Sequence, residues 1–429
     1  MAAVTVEVEK RLTAIVGAGY LRHGDDRDGV DGLCPAWVVS PGNAAEVAAV
    51  LALGADSGLA VVARGGGAHL DRGAPPRAMD MVIDMGRLHA IVEHEPGDMR
   101  VTVEPGCTLG TLEAALAPSG QWLPLDPAGA PDVSIGGLIA ADLCGPLRPS
   151  QGRVRDLLLG LRVATPEGRL VSGGGKVVKN VAGYDLPKLH VGALGTLGIV
   201  VEASFRLRPR PRSEHALVVH TTGAEETGRL ALDLRDCCEP AWLEIVGPGL
   251  DPAPAGWALA IGSAGHPAAT AAALAAWQHR VRSDPAGGEI ELHEDGGALR
   301  AAVARAGTVA TACVLRASTL PTQIGALLVA IDETANGQAR LAASITGNAH
   351  AAFDDVAGAL RVVRTLRPRL EGAGGALIVE RATAAAKHVL HPDPGIWGAS
   401  IGGLALMQEL RRMFDPRNTL APGRFPGDP

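Results

Sequence analysis

The stretch that most constrains this chain runs from 126 to 211, DPAGAPDVSIGGLIAADLCGPLRPSQGRVRDLLLGLRVATPEGRLVSGGGKVVKNVAGYDLPKLHVGALGTLGIVVEASFRLRPRP. Paired glycines at Gly136 and Gly137, the run NVAGYD at 180–185 and the turn GTLG at 195–198 lie between short β-branched runs. Glycines so spaced let backbone approach a ligand closely while the flanking strands hold it in place. The wall they form suits a large planar cofactor with a charged tail.

A second stretch has the same character. The apolar run 59–63 leads straight into Arg64, Gly65, Gly66, Gly67, Ala68 and His69. Three glycines after a strand can turn several N–H groups inward as an anion nest; a surface turn is the other reading. The order of events around it is regular. SPGNAAE at 40–46 reads as a helix entry, and strands are expected at 81–84 and 100–103, then a helix over 108–117.

Length and charge limit the options. A chain of 429 residues suggests two or three domains with a substantial core. Its net charge of −7 argues against a general polyanion-binding field, so nucleic acid is not an expected partner. The opening MAAVTVEVEKRL has no basic segment followed by an apolar one, and no apolar run approaches a membrane span of roughly 18 residues. A cytoplasmic protein is expected, peripheral at the inner face of a membrane at most and then through partners.

Six scattered cysteines with no CxxC read as reduced thiols. A ferredoxin-type cluster and a zinc ribbon lack their ligands, so a redox role would need an organic carrier. IVGAGYLR at 15–22 imitates a dinucleotide fingerprint, but Arg22 stands at the third glycine position. The glycine run at 173–175 before Lys176 fails as a phosphate loop because Val177 follows the lysine, and it is read as a tight strand connection.

Several ordered motifs together resemble the FAD-binding domain of the vanillyl-alcohol oxidase type: RGGG at 64–67, VEPGCTL at 103–109, LPLDP at 123–127, SIGG at 134–137, NVAGYD at 180–185 and GTLGI at 195–199. More narrowly, 179–185 and the tail FDPRNTLAPGRF at 414–425 resemble the FAD-binding E subunit of bacterial glycolate oxidase. The likeness is strong over about 30–211 and in the tail, and weak between.

The resemblance implies an α+β fold: a two-subdomain FAD-binding domain over 1–211, an α+β cap over 212–395 and a C-terminal segment, 396–429, that returns to the flavin domain. Strands expected at 216–220, 242–246, 257–261, 289–292, 312–317, 340–345 and 376–379 alternate with alanine-rich helices and fit such a cap. FAD would lie against Arg64, Gly65, Gly66, Gly67, Ala68, His69, Pro124, Asp126, Ser134, Ile135, Gly136, Gly137, Ala140 and Ala141, with the amides of 64–69 and 134–137 on the pyrophosphate. Gly195, Gly198, Ile199 and Val200 would complete the bed toward the adenine. Tyr184, Asn418 and Arg424 are further candidates, each equally read as a packing, turn or surface residue. Relatives with covalent flavin carry a histidine four positions after the arginine of the first loop. Here that position is Ala68, so FAD is expected to be non-covalent.

No catalytic residue is assigned. TGNAH at 346–350 resembles the end of a metal motif of the related D subunit, but Ala343 and Thr346 stand at two of its positions, so no metal is expected and His350 is read as a packing residue. Arg316 is a candidate for a substrate carboxylate, or for an ion pair at a strand end. The resemblance implies an FAD-dependent oxidoreductase working on a small 2-hydroxy acid, with a catalytic flavoprotein and an iron–sulfur subunit as partners. A self-sufficient FAD oxidase or dehydrogenase is the alternative.

Overall fold

A computed structural model describes residues 2–176, 184–284, 287–308, 312–399 and 401–427. Residues 177–183, with Lys179 and most of the NVAGYD motif, lie outside the described residues. The fold is α+β, built on three main sheets.

The first sheet has four strands in the order Leu21–His23, Trp37–Val39, Met81–Asp84, Val61–Arg64, antiparallel at the first pairing and parallel at the other two. The crossover helix Ala44–Asp56 starts where Asn43 accepts a hydrogen bond from the Glu46 amide at 3.0 Å and Glu46 reaches back to the Gly42 amide at 2.7 Å, a reciprocal cap. Its Val47, Val50 and Leu51 bury against Val61, Met81 and Ile83, while Val38, Val62 and Val82 pack on the opposite face with Ala421. Burial on both faces explains why these strands read as unbroken apolar runs. The GAG at 17–19 follows the helix Ala2–Val16, so no strand opens a dinucleotide site there.

The second sheet is antiparallel, in the order Ile91–Glu95, Arg100–Val103, Ile199–Arg206, Leu158–Ala164, Leu170–Gly174. The helices Leu109–Leu116 and Ile135–Ala141 close its inner face. The glycine run at 173–175 is not a tight connection: Gly173 and Gly174 belong to the edge strand, where a β-carbon on Gly174 would sit 2.3 Å from the Leu159 carbonyl.

The third sheet has eight antiparallel strands, from Ile290–His293 at one edge to Ala376–Ala382 at the other. Its alternation decides where chemistry can lie. Ala343, Ala349, Ala351, Leu315 and Ala317 face helices such as Ile324–Ala335 and Val356–Gly372 in the largest apolar core. Their neighbours in sequence, Ser344, Asn348, His350 and Arg316, face a cavity shared with the flavin-side loops. The strand Asn348–Phe353, which carries His350, went unrecognised in the sequence because alanines and a histidine give it little β-branched character.

The tail folds back onto the first sheet. Val61 donates to the Thr419 carbonyl at 2.7 Å and accepts from the Ala421 amide at 2.9 Å. The buried Arg411, on the helix Leu404–Phe414, pairs with Asp415 at 2.9 Å and donates to the Leu420 carbonyl at 2.5 Å. Asp415 in turn accepts from the Thr419 and Leu420 amides at 3.0 and 2.7 Å, fixing the turn that lies along Val61.

Candidate functional site

A cleft runs between the first two sheets, enclosing about 980 Å³ of non-atom space with its open mouth included. Strand Val61–Arg64 delivers the glycine loop to its floor, and all of Arg64, Gly65, Gly66, Gly67, Ala68 and His69 line it. Ser134 stands opposite. Its hydroxyl accepts from the Gly66 and Gly137 amides, each at 3.3 Å, tying the loop to the helix Ile135–Ala141. A β-carbon on Gly65 would lie 2.2 Å from that hydroxyl, so any side chain there would displace it from its two amides. The amides of Gly67 and Ala68 have no acceptor among the described residues and stand ready for an anionic ligand.

The helix at 135–141 differs from expectation. The Ile135 amide donates to the Cys107 carbonyl at 2.8 Å, Gly136 to the Pro105 carbonyl at 2.8 Å, and Gly137 to Ser134. Those amides are engaged within the fold, so their part in the cleft is to support the glycine loop. Gly136 has no left-handed backbone; it is needed because a β-carbon would meet Pro105 at 3.0 Å.

Ser134, Gly136, Gly137, Ala140 and Ala141 line the cleft, as do Gly195, Gly198, Ile199 and Val200 at the head of strand Ile199–Arg206. Arg424 reaches it from the tail, held by the Arg72 carbonyl at 2.8 Å and by the Leu70 carbonyl, with its buried Nη1 unpartnered among the described residues. Arg64 also lines the cleft, but its guanidinium is taken by Asp84 at 2.6 Å and Asp28 at 2.8 Å.

Five sequence candidates lie elsewhere. Pro124 is not on the wall, and Ile135 is fully buried in the core beneath it. Asp126 pairs with Arg300 at 2.8 Å and accepts from the Leu147 amide, an anchor between flavin domain and cap. Burial pushes its carboxyl up to about 6 against the pull of Arg300. Asn418 takes a left-handed turn and accepts from Arg411 at 2.8 Å. The Tyr184 ring is 92% exposed and away from the cleft, where no packing would hold it on a flavin.

The sequence reading missed His190, whose ring lines the cleft edge-on to Phe414 and whose pKa burial lowers to about 4. It also missed Met85, which follows strand 81–84 and carries no motif, and did not count Pro105 as a lining residue although VEPGCTL at 103–109 contains it.

A second cavity, enclosing about 1490 Å³ of non-atom space with its open mouth likewise included, lies between this cleft and the polar face of the cap sheet. His69 belongs to both. Both of its ring nitrogens are buried without a partner among the described residues, and burial, then Arg72 and Arg381, lower its pKa to about 4, so the imidazole is neutral. Arg316 lines this second cavity, as do His350 and Glu380. Glu244 on the same wall is a buried carboxyl that desolvation pushes up to about 8, a hydrogen bond with Ser344 opposing the shift. His350 is thus no packing residue in the apolar core, and among the described residues no group of three or more His, Cys, Asp or Glu could hold a metal.

Comparison with known proteins identifies the kind of domain that carries the first cleft. Residues 35–174 match the family model described as "FAD binding domain". The chain carries an FAD-binding domain. Over 136 residues it is 43% identical to glycolate oxidase subunit GlcE of Escherichia coli strain K12, a match spanning 32% of this chain and 39% of that one. Over 223 residues it is 31% identical to glycolate oxidase subunit GlcD of Bacillus subtilis strain 168, spanning 50% and 47%. The chain thus spans less than half the length of the curated relatives it matches. Substrate-bound p-cresol methylhydroxylase superposes with a TM-score of 0.75 over 99% of this chain and 97% of that one, at 14% identity, which makes the fold the p-cresol methylhydroxylase type.

The cleft fits FAD. Apolar groups of Val62, Met85, Pro105 and Ile199 would face the rings, the Gly67 and Ala68 amides and Arg424 would meet the phosphates, and Gly65 leaves no room for a side chain between loop and helix.

Proposed function

We propose that this chain is the FAD-binding subunit of a glycolate-oxidase-like complex that oxidises a small 2-hydroxy acid and passes the electrons to a partner subunit. The observation that carries this reading is the continuity of one cleft, lined by the glycine loop at 64–69, the segments 133–141 and 193–200, and Arg424, in a chain 43% identical over 136 residues to a glycolate oxidase subunit. Bound FAD supplies a two-electron acceptor. The chain's own part is to hold it without a covalent bond, to exclude water through the apolar wall, and to set a neutral imidazole, His69, where cleft and cap cavity meet.

Oxidising a 2-hydroxy acid also needs a carboxylate clamp and a base for the hydroxyl proton. Arg316 is the proposed carboxylate contact if substrate enters this chain, but it already shares Glu380 at 3.4 Å. A metal clamp is not proposed, since Ala343 and Thr346 replace two of the motif's positions. A catalytic flavoprotein is therefore proposed as the partner that supplies the chemistry, and an iron–sulfur subunit as the electron acceptor. The proposed location is cytoplasmic, peripheral to the membrane through those partners; among the described residues no helix is long and apolar enough to cross one.

The second reading, a self-sufficient FAD dehydrogenase, is favoured by the cap cavity lying directly beside the cleft through His69. Anaerobic mixing of the purified chain with glycolate, lactate and 2-hydroxyglutarate separates the two. Slow or absent flavin bleaching alone, restored when the two partner subunits are added, supports the subunit reading; rapid turnover by the isolated chain supports the second.

A further inference from the structure

The cap cavity contains one group whose surroundings are those of a bound ligand, although it is a side chain. Arg316 and His350 are register partners on adjacent strands. Arg72 reaches the same point from the flavin domain. All three converge on the carboxylate of Glu380: Arg72 Nη1 at 3.1 Å and Arg316 Nε at 3.4 Å on Oε1, and His350 Nε2 at 3.2 Å on Oε2. The Glu380 side chain is only 9% exposed. Burial alone would raise its pKa, but Arg72, His350 and Arg316 together hold it well below the usual carboxylate range, so it is ionised.

Two other cations on this wall are paired, Arg381 with Asp71 at 2.8 Å and Arg153 with Asp142, and Arg148 lines it as well. The three donors on Glu380 come from two cap strands and a separate domain, and no local turn forces them together. Convergent donors around one carboxylate at a cavity wall are how proteins recognise small organic acids.

We propose that Arg72, Arg316 and His350 form a binding site for a small monocarboxylate and that Glu380 occupies it as an internal ligand. Glu380 thereby sets specificity by denying the clamp to an incoming acid. The consequence, that the substrate acid must find its clamp on a partner subunit, rests on the 2-hydroxy acid reading. The binding site itself does not.

The test uses the full FAD-loaded chain, titrated with formate and acetate against sodium chloride at equal ionic strength, with melting temperature and the flavin absorption spectrum as readouts. In the wild type, neither acid should shift either signal beyond the chloride control. Glu380→Ala should melt lower, and formate and acetate should then raise its melting temperature saturably, at least tenfold more tightly than any response of the wild type. Adding Arg316→Ala should abolish that response. A wild type that responds like the variant overturns the proposal, as does a folded Glu380→Ala that ignores both acids. If the variant does not fold in chloride, refolding in formate must restore flavin binding, and failure there overturns the proposal too. A complex that never oxidises a 2-hydroxy acid would sink the functional reading while leaving these titrations to be judged by themselves.

Discussion

Gly65 shows how tightly the flavin loop is specified. With its β-carbon position 2.2 Å from the Ser134 hydroxyl, Gly65→Ala must turn that hydroxyl away or shift the loop, and either costs the bonds by which Ser134 ties Gly66 to Gly137. The expected result is at least a tenfold loss of FAD affinity, about 1.4 kcal/mol, with little change in far-UV circular dichroism; fluorescence titration of the apoprotein with FAD measures it. Glu244 gives a prediction of opposite kind. Its carboxyl titrates near 8 in the fold, against an ordinary value of 4.5. Below 4.5 both folded and unfolded chains hold the proton. Between 4.5 and 8 only the fold keeps it, so stability falls as pH rises through that window, by an amount on the order of 3 to 5 kcal/mol. Glu244→Gln removes the proton uptake. Its melting temperature should match the wild type near pH 4.5 and exceed it increasingly up to pH 8.5, and a constant difference across that range would contradict the assignment.

Among the elements, the C-terminal turn has the clearest energetic role. Arg411 and Asp415 are 4% and 0% exposed; they pair with each other, Arg411 also donates to the Asn418 side chain and to the Leu420 and Thr196 carbonyls, and Asp415 accepts from the Thr419 and Leu420 amides. Arg411→Ala leaves a buried carboxylate without its cation, which costs about 3 to 5 kcal/mol. Lower thermal stability and FAD loss in the same unfolding step are expected by calorimetry with flavin fluorescence, since the turn braces Val61 beneath the glycine loop. The elements also separate what was legible in the sequence from what was not. Strands 81–84, 100–103 and 242–246 were placed to the residue, because their apolar runs sit between clear breaks. The glycine loop and the cleft segments were legible because backbone approach leaves glycine as its trace. The carboxylate cluster was not, because Arg72 and Glu380 lie 308 positions apart and no local pattern joins them. The amides of 135–137 were misassigned for a related reason: their acceptors, the Cys107 and Pro105 carbonyls, are backbone atoms that sequence does not mark.

Across the whole molecule, the cleft and the cap cavity meet at His69, yet the cap's carboxylate-binding groups are already engaged. The purified chain should be yellow, and acid precipitation should release free FAD to the supernatant, because Ala68 offers no attachment point where covalent relatives carry histidine. Flavin fluorescence remaining on the denatured polypeptide in a gel would refute this.

The seam between Val61 and the tail also orders events in time. The Leu70 carbonyl that seats Arg424 is made 354 residues earlier on the ribosome, and the Val61 amide waits similarly long for the Thr419 carbonyl. Until then the wall of the cleft lacks both its brace and its cationic residue. If FAD occupies this cleft, its capture is expected late in biogenesis: nascent chains halted before the 411–424 segment should emerge colourless, and flavin retention should report that synthesis has passed it.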